Sequence, residues 1–504
     1  MSKSTRKEIK IKSSESSFWR FVVAREQVVD WVVVLLAALI PFCGIRLIYP
    51  YVGIYSDSMT YVKAAADDTF LPFRPFGYSA YLQWVHHFSD SINAVAWSQL
   101  LLYVVCMGVL VMALKRCFGL CRGWVRVVME VVMTASPMAL YMLNYVMSDS
   151  LFCCLTFVMV AMLIVAIKEE SYVALVVYAV ALTASLLTRY SALFLPIAAV
   201  PLMLWVKNKR LRYVALALTA VSIFTYYTNV SDNMRRVTGK KQLATAFGGW
   251  QMANNGMHVL PYITDYSVMP DDEALRGLHQ FCIRRYDDKI RQVTEDGRKS
   301  GTFFMWEGEM PLKQYMYYLM SQNPGLTYID AWTYLGSGVY QKYGSWLMRQ
   351  YPWLFVRYYL WPSAPAIFYT DNLELLKGQG VVDEKNKAEL GQWYSDVSAE
   401  TDMSPMSQGY TRYLSPLIPW IEVATWLALA LALTWLIVEI KRGRVSLTYG
   451  EKLMLALLLA VILVYYSTST FATPTVIRYW MPMHALKLSV VWLALSRKKS
   501  NFAE

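Results

Sequence analysis

Ten apolar runs constrain this chain more than any motif in it. They fall near 29–49, 92–114, 125–145, 149–167, 171–188, 190–206 and 212–230, and, after a long polar region, near 414–440, 451–470 and 476–496. A helix of about 20 apolar residues spans the hydrocarbon core of a bilayer, and such a helix satisfies its own backbone where no water can. The connectors between the runs carry a second pattern. With the basic tail (Lys3, Arg6, Lys7, Lys10, Lys12, Arg20) set in the cytoplasm, five segments fall on the same side: Lys115–Arg126, Lys168, Lys207–Arg212, Lys441–Arg444 and Arg497–Lys499. All five are basic, as the positive-inside rule requires. The opposite connectors are not enriched in lysine in this way.

The expected fold is therefore an all-α polytopic membrane protein with about ten transmembrane helices, both termini inside, and a mainly helical extracytoplasmic region. The divisions run as follows: a cytoplasmic tail over 1–28, a seven-helix bundle over 29–230 with its first external loop at 50–91, the extracytoplasmic region 231–413, three helices over 414–496, and a short tail over 497–504. Composition agrees. A chain of 504 residues that is 56% hydrophobic, with a mean hydropathy of +0.31, is too apolar for a soluble protein, and at 17% charged it is too polar to lie wholly in lipid. The net charge of +12 would suit nucleic acid, but the cations sit in the short connectors, so no nucleic-acid partner is expected. Of seven cysteines only Cys282 lies in the large polar region, which argues against a disulfide framework; Cys117 and Cys121 lack partner ligands for zinc. The first apolar run is long enough to span, so no cleavable signal peptide is expected.

The polar stretch Ile54–Tyr81 separates the first two runs and does not read as a plain connector. Asp57 stands a few residues beyond the first run. Amphipathic helix-like residues follow (Met59, Tyr61, Val62, Ala65), then the Arg-Pro-Phe-Gly-Tyr turn at Arg74–Tyr78. A carboxylate held at a membrane surface by a structured loop points to a site, with Tyr55, Tyr61 and Tyr78 as substrate-contacting rings. In 231–413, the segment Phe247–Gly256 (FGGWQMANNG) reads as a loop able to meet a ligand, with Trp250, Asn254 and Asn255 as its contacts. Leu275, Leu278, Cys282, Tyr286 and Val293 share one helical face within Ala274–Val293. The aromatic stretch Tyr351–Tyr369, interrupted by Arg357, Pro362 and Pro365, reads as an interfacial helix.

No Walker A loop, dinucleotide glycine fingerprint, HExxH or nucleotide-sugar DxD occurs. The candidates left are polar groups at the membrane edge, functional by default because burying them is costly. Each has a plainer alternative. Asp57 and Asp149 both stand where N-caps stand, beside Ser56, Ser58 and Ser148. Arg189, in a tight turn between two runs, would serve as a snorkelling surface residue. Arg478, in PTVIRYWMP, would serve as an interfacial anchor. Glu130 is expected to pair with a nearby arginine. His86 and His87 lack a third metal ligand. With the tail inside, Asp57, Asp149, Arg189 and Arg478 all face outward. Two acids and two arginines there suit acid–base chemistry on a substrate with an anionic leaving group, since guanidinium forks hold phosphate. A phosphate on that face is not a cytosolic nucleotide; a lipid-linked phosphate can reach it.

These features resemble the GT-C glycosyltransferases, in the branch of protein O-mannosyltransferases and lipid A aminoarabinose transferases. The likeness rests on an acid just after the first span, the R-P-x-G-Y turn, the Ser-Asp-Ser-Leu opening of the fourth span, the Leu-Thr-Arg turn at Leu187–Arg189 and the Arg-Tyr pair Arg478–Tyr479. It covers the spans well and 231–413 poorly. It implies a polyprenyl-phosphate sugar donor and inverting transfer to a lipid, glycan or protein acceptor at the outer face of a cell or inner membrane. Asp57 would be the general base, Asp149 a second catalytic acid, and Arg74, Arg189, Arg478 and Tyr479 would hold the donor phosphate. Some enzymes of this kind use a divalent metal, which Asp57 and Asp149 would share. The O-mannosyltransferases carry Asp-Glu in the first loop, whereas Ser58 follows Asp57 here, so the acceptor stays open. A flippase of a lipid-linked glycan and a surface-glycan polymerase or ligase are the alternatives.

Overall fold

A computed structural model describes residues 17–70, 74–119, 121, 123–239, 241–242, 246–286, 302–377, 384–397, 405–473 and 476–497. The chain is helical throughout these residues, with one isolated parallel bridge between Gly53 and Tyr145. Six helices are long and apolar enough to cross a membrane: Arg25–Ile48, Ile92–Phe118, Ser148–Glu169, Lys209–Val237, Pro405–Lys441 and Tyr449–Ala472. Their outward faces are apolar as well, with Leu101, Phe224, Leu431 and Leu463 exposed. An apolar surface this extensive is stable against lipid and costly against water.

The remaining four expected runs are shorter helices. The run at 125–145 divides into Gly123–Thr134 and Pro137–Met142, because Pro137 starts a new helix capped by Ser136. Tyr172–Thr188 stays whole at 17 residues. The run at 190–206 becomes a 3₁₀ turn, Tyr190–Leu193, and the helix Phe194–Met203, and the last run becomes Ile477–Trp480 followed by Met481–Arg497. Glu130 pairs with Arg126 at 3.6 Å, as expected, beside Asp30 and Lys115, which are 2.5 Å apart.

The region between the two groups of apolar runs contains a second core. Trp250, Leu278, Cys282, Phe304, Met316, Leu335, Tyr343 and Tyr359 are among its buried side chains. The face expected from Leu275, Leu278, Cys282 and Tyr286 is buried there, on the helix Glu273–Arg285; Val293 lies outside the described residues. Leu375, Leu376, Leu390 and Tyr394 belong instead to the large core of the helical bundle. Tyr351–Tyr369 is helical without a break from Pro352 to Ile367, as expected, although its hydrogen bonding changes along the way: Pro352–Phe355, a π-turn Val356–Leu360, Trp361–Ser363 and a 3₁₀ turn Ala364–Ile367. Trp353 and Trp361 are exposed along it.

The segment Phe247–Gly256 corrects a sequence expectation. It is not a loop but part of the helix Ala246–Met257. Its glycines and asparagines suggest a loop only when read alone. A Cβ on Gly249 would lie 1.6 Å from the carbonyl oxygen of Gly336, and one on Gly344 would lie 2.1 Å from that of Met252. The glycines let this helix touch the segment Leu335–Gln350 backbone to backbone. That packing outweighs their low helix propensity.

Candidate functional site

Asp57 occupies the first turn of the helix Ser56–Ala66, and the cap of that helix is made without it. The backbone N–H of Tyr55 donates to Ser58 Oγ at 2.9 Å, and Ser58 N–H donates to the Tyr55 carbonyl at 2.8 Å. The Asp57 carboxylate turns to guanidinium groups instead. Arg74 Nη2 lies 2.6 Å from its Oδ1 and Arg478 Nη1 lies 3.4 Å from its Oδ2. Asp149, at the start of Ser148–Glu169, likewise caps nothing; its Oδ2 lies 2.7 Å from Arg189 Nη1 and 3.8 Å from Arg478 Nη1. The capping alternative therefore fails for both acids.

Local structure explains why residues so distant in sequence meet. Gly53 N–H donates to the Asn144 carbonyl at 2.7 Å and Val146 N–H donates to the Gly53 carbonyl at 3.0 Å, which ties the approach to Asp57 to the approach to Asp149. Only glycine fits there, since a Cβ would stand 2.7 Å from the Tyr145 ring. The turn after Arg74 is fixed in the same way. A Cβ on Gly77 would lie 2.5 Å from the Leu187 carbonyl oxygen, so the turn rests on the end of Tyr172–Thr188, next to Arg189.

Aromatic rings wall the network. Arg74 lies 5.1 Å from the Tyr61 ring centre, Arg189 lies 5.7 Å from those of Phe152 and Tyr479, and Arg478 lies 5.7 Å from Tyr479 and 5.9 Å from Tyr55. The Tyr61 hydroxyl is 2.8 Å from Ser148 Oγ, to which Arg189 Nη1 also donates at 3.3 Å. Tyr78 stands one layer behind, edge-on to Tyr61, donating to Gln99 Oε1 at 3.1 Å. Gln99 in turn donates to the Leu143 and Tyr145 carbonyls. Phe152 and Gln99 carry no signal in the sequence, and Ser148 is marked there only as a cap candidate within the Ser-Asp-Ser-Leu motif.

Three arginines against two carboxylates leave one surplus positive charge. The three guanidinium groups hold the Asp57 carboxyl down to about 2 against the opposing cost of burial. Arg478 is the least satisfied cation. Both its carboxylate contacts are long, and its buried Nε has no hydrogen-bond partner among the described residues. The side chains of Arg74, Arg189 and Arg478 keep 15–16% exposure.

Trp250, Asn254 and Asn255 are not in this network. Trp250 donates to the Trp332 carbonyl, Asn254 accepts from Met305 N–H, and Asn255 donates to the Phe471 and Ala472 carbonyls at 2.8 and 2.7 Å. Asn255 thus ties the second core to the helix end that precedes Arg478. His86 stacks on Trp393 at 4.3 Å. Among the described residues, no three or more His, Cys, Asp and Glu side chains are grouped to hold a metal.

A polar cluster missed by sequence lies among the last helices. The Lys487 ammonium bonds Glu422 Oε1, to which the Tyr466 hydroxyl also donates at 3.0 Å, and the ammonium lies 4.7 Å from the Trp426 ring centre. Compared with models of protein families, with curated proteins and with solved structures, the chain matches none.

Proposed function

We propose that this chain is an integral membrane glycosyltransferase of GT-C type, with ten spans, that moves a sugar from a polyprenyl-phosphate donor to an acceptor hydroxyl at the extracytoplasmic face. The observation that carries this reading is the surplus cation at the Asp57–Asp149 network, above all the loosely held Arg478. Such a constellation favours a dianionic or monoanionic phosphate, which guanidinium groups bind by charge-assisted, bidentate contacts.

In this reading the two carboxylates stand in for the donor phosphate while the site is empty. The incoming phosphate takes Arg478 and Arg189, and the phenol ring of Tyr479 lies between them. Asp57 then loses part of the field that keeps it a weak base, and its proton affinity rises as the donor arrives. The acceptor oxygen attacks the anomeric carbon, the bond from that carbon to the phosphate oxygen breaks, the lipid phosphate leaves with the electron pair, and Asp57 takes the acceptor proton. Configuration inverts because the attack is a single displacement. Arg74 orients Asp57, and Asp149 orients Arg189. A divalent metal between Asp57 and Asp149 does not fit this charge environment without expelling Arg478, whose Nη1 lies 3.4 and 3.8 Å from the two carboxylates.

The deciding assay is sugar transfer from a synthetic polyprenyl-phosphate sugar. Asp57→Asn keeps the size of the side chain but cannot take the proton, so transfer should fall by about 10²–10⁴, with donor binding no weaker than in the parent, since the lost charge competes with the phosphate for Arg478. Near-normal transfer by a folded Asp57→Asn protein would remove Asp57 from the chemistry. One observation favours a second reading, a flippase of a lipid-linked glycan: Glu422 and Lys487 put charge within the helical bundle, away from the Asp57 network. That reading gives lipid movement without sugar transfer.

A further inference from the structure

Lys313, on the helix Pro311–Gln322, is 2% exposed and has no carboxylate within ion-pair distance among the described residues. Its ammonium lies 5.1, 5.4, 4.8 and 4.5 Å from the ring centres of Trp250, Trp306, Tyr328 and Trp332, and it bonds the Tyr328 hydroxyl. The indoles form a stack, Trp332 being 4.1 Å from Trp250 and 5.0 Å from Trp306. The inner ring, Trp250, is fully buried, whereas Trp306 and Tyr328 are 46% and 42% exposed. The cluster is thus closed toward the core, with the half-exposed rings of Trp306 and Tyr328 at its rim and the buried ammonium directly behind them.

We propose that this cage is a second substrate site, which binds an acidic sugar of the acceptor: the pyranose ring lies on Trp306 and Tyr328, and its anionic group meets the Lys313 ammonium. The proposal rests on the glycosyltransferase reading and names the acceptor class for it. An empty aromatic cage attracts cations, but here the chain supplies the cation, so the open side favours an anion. Indole and phenol faces match the C–H face of a pyranose, and the unpaired ammonium supplies the charge recognition that stacking lacks.

A purely structural lysine explains the arrangement less well. Burial alone pushes Lys313 down to about 8, with no anion to offset it. A methionine would fill the same space without that desolvation cost, which the ring contacts and the Tyr328 hydroxyl offset only in part. Groups held at such a cost concentrate at binding sites. The position also suits an acceptor site. Trp250 stands five residues before Asn255 on one helix, about 7.5 Å along its axis, and Asn255 bonds the helix end that leads to Arg478. The cage would hold a part of the acceptor remote from the reacting hydroxyl.

Tryptophan fluorescence of the full-length protein in detergent reads the site directly. The probes are a methyl hexuronoside, a hexose phosphate and the matched neutral methyl hexoside. Saturable quenching by the uronoside, the phosphate or both, with none by the neutral sugar at equal concentration, is expected; whichever anion responds in the parent and in Arg478→Ala, but not in Lys313→Met, identifies the acidic group. Lys313→Met should weaken that binding by about tenfold or more and melt no lower than the parent, whereas a structural pin would melt lower and bind unchanged. Trp306→Leu, at the half-exposed rim, gives the same loss of binding and decides the matter if Lys313→Met does not fold. No saturable response to either anion, or unchanged affinity in the folded variants, overturns the proposal. Asp57→Asn protein should quench like the parent. Binding there together with unimpaired sugar transfer would sink the transfer mechanism and leave the cage standing; transfer by the parent without anion binding would sink the cage alone.

Discussion

Asp57 and Asp149 share one nitrogen: Arg478 Nη1 lies 3.4 Å from Asp57 Oδ2 and 3.8 Å from Asp149 Oδ2. Each acid stands four residues past the parallel Gly53–Tyr145 bridge, one on either paired segment, and each is already held by a closer arginine of its own, Arg74 and Arg189. Arg478 is thus the cation that an arriving anion can take at least cost.

Arg478→Ala should therefore weaken binding of a polyprenyl-phosphate donor by about 2–5 kcal/mol, the usual loss for one partner of a buried charged contact. Arg478→Lys should restore part, since lysine keeps the charge without the fork. Donor affinity is measured by titration of the purified protein. Parent-like affinity in Arg478→Ala would return the residue to the role of an interfacial anchor.

Sidedness has its own test. Reporter fusions at Lys209 and Arg442 should report cytoplasm, and fusions at Asn255 and Glu389 the opposite side. An outward signal at Lys209 would put the Asp57 network on the wrong face for a lipid-linked donor.

The convergence of Asp57, Asp149, Arg189 and Arg478 was legible because each stands at an end of an apolar run, and run ends gather at the faces of a bundle. Other features depend on partners that composition does not show. Phe247–Gly256 looked like a loop because Gly249 opposes Gly336 only in the folded state. Glu422 and Lys487 vanish in the average hydropathy of their runs, although each is the other's partner across 65 residues. Asn255 looked like a ligand contact and is a tie between helices.

The glycine contact makes a stability prediction with an internal control. Gly249→Ala drives a methyl into the Gly336 carbonyl, which is backbone and cannot swing away, so the second core should lose more than the roughly 1–3 kcal/mol of ordinary overpacking. Gly338→Ala, two residues from Gly336, meets nothing within 4 Å and should melt within a degree or two of the parent. Thermal unfolding in detergent compares the two. Equal melting would mean that the helices are not in backbone contact at Gly249.

The Glu422–Lys487 pair separates a structural bond from a translocation path. Both residues are buried, and the Tyr466 hydroxyl shares the Glu422 oxygen that the ammonium takes. Glu422→Gln leaves the Lys487 ammonium without its anion and should cost about 3–5 kcal/mol, because an unpaired buried charge keeps its desolvation penalty and loses the attraction that offset it. The double variant Glu422→Leu with Lys487→Met removes both charges and fills similar volume, so it should melt close to the parent. Its activity then discriminates. A pair that only joins the last helices leaves sugar transfer intact in the double variant, since the Asp57 network is untouched. A pair that lines a path for a lipid-linked glycan abolishes lipid movement even though the protein is stable. Loss of movement in a well-folded double variant, with no transfer in either protein, would replace the glycosyltransferase reading by the flippase.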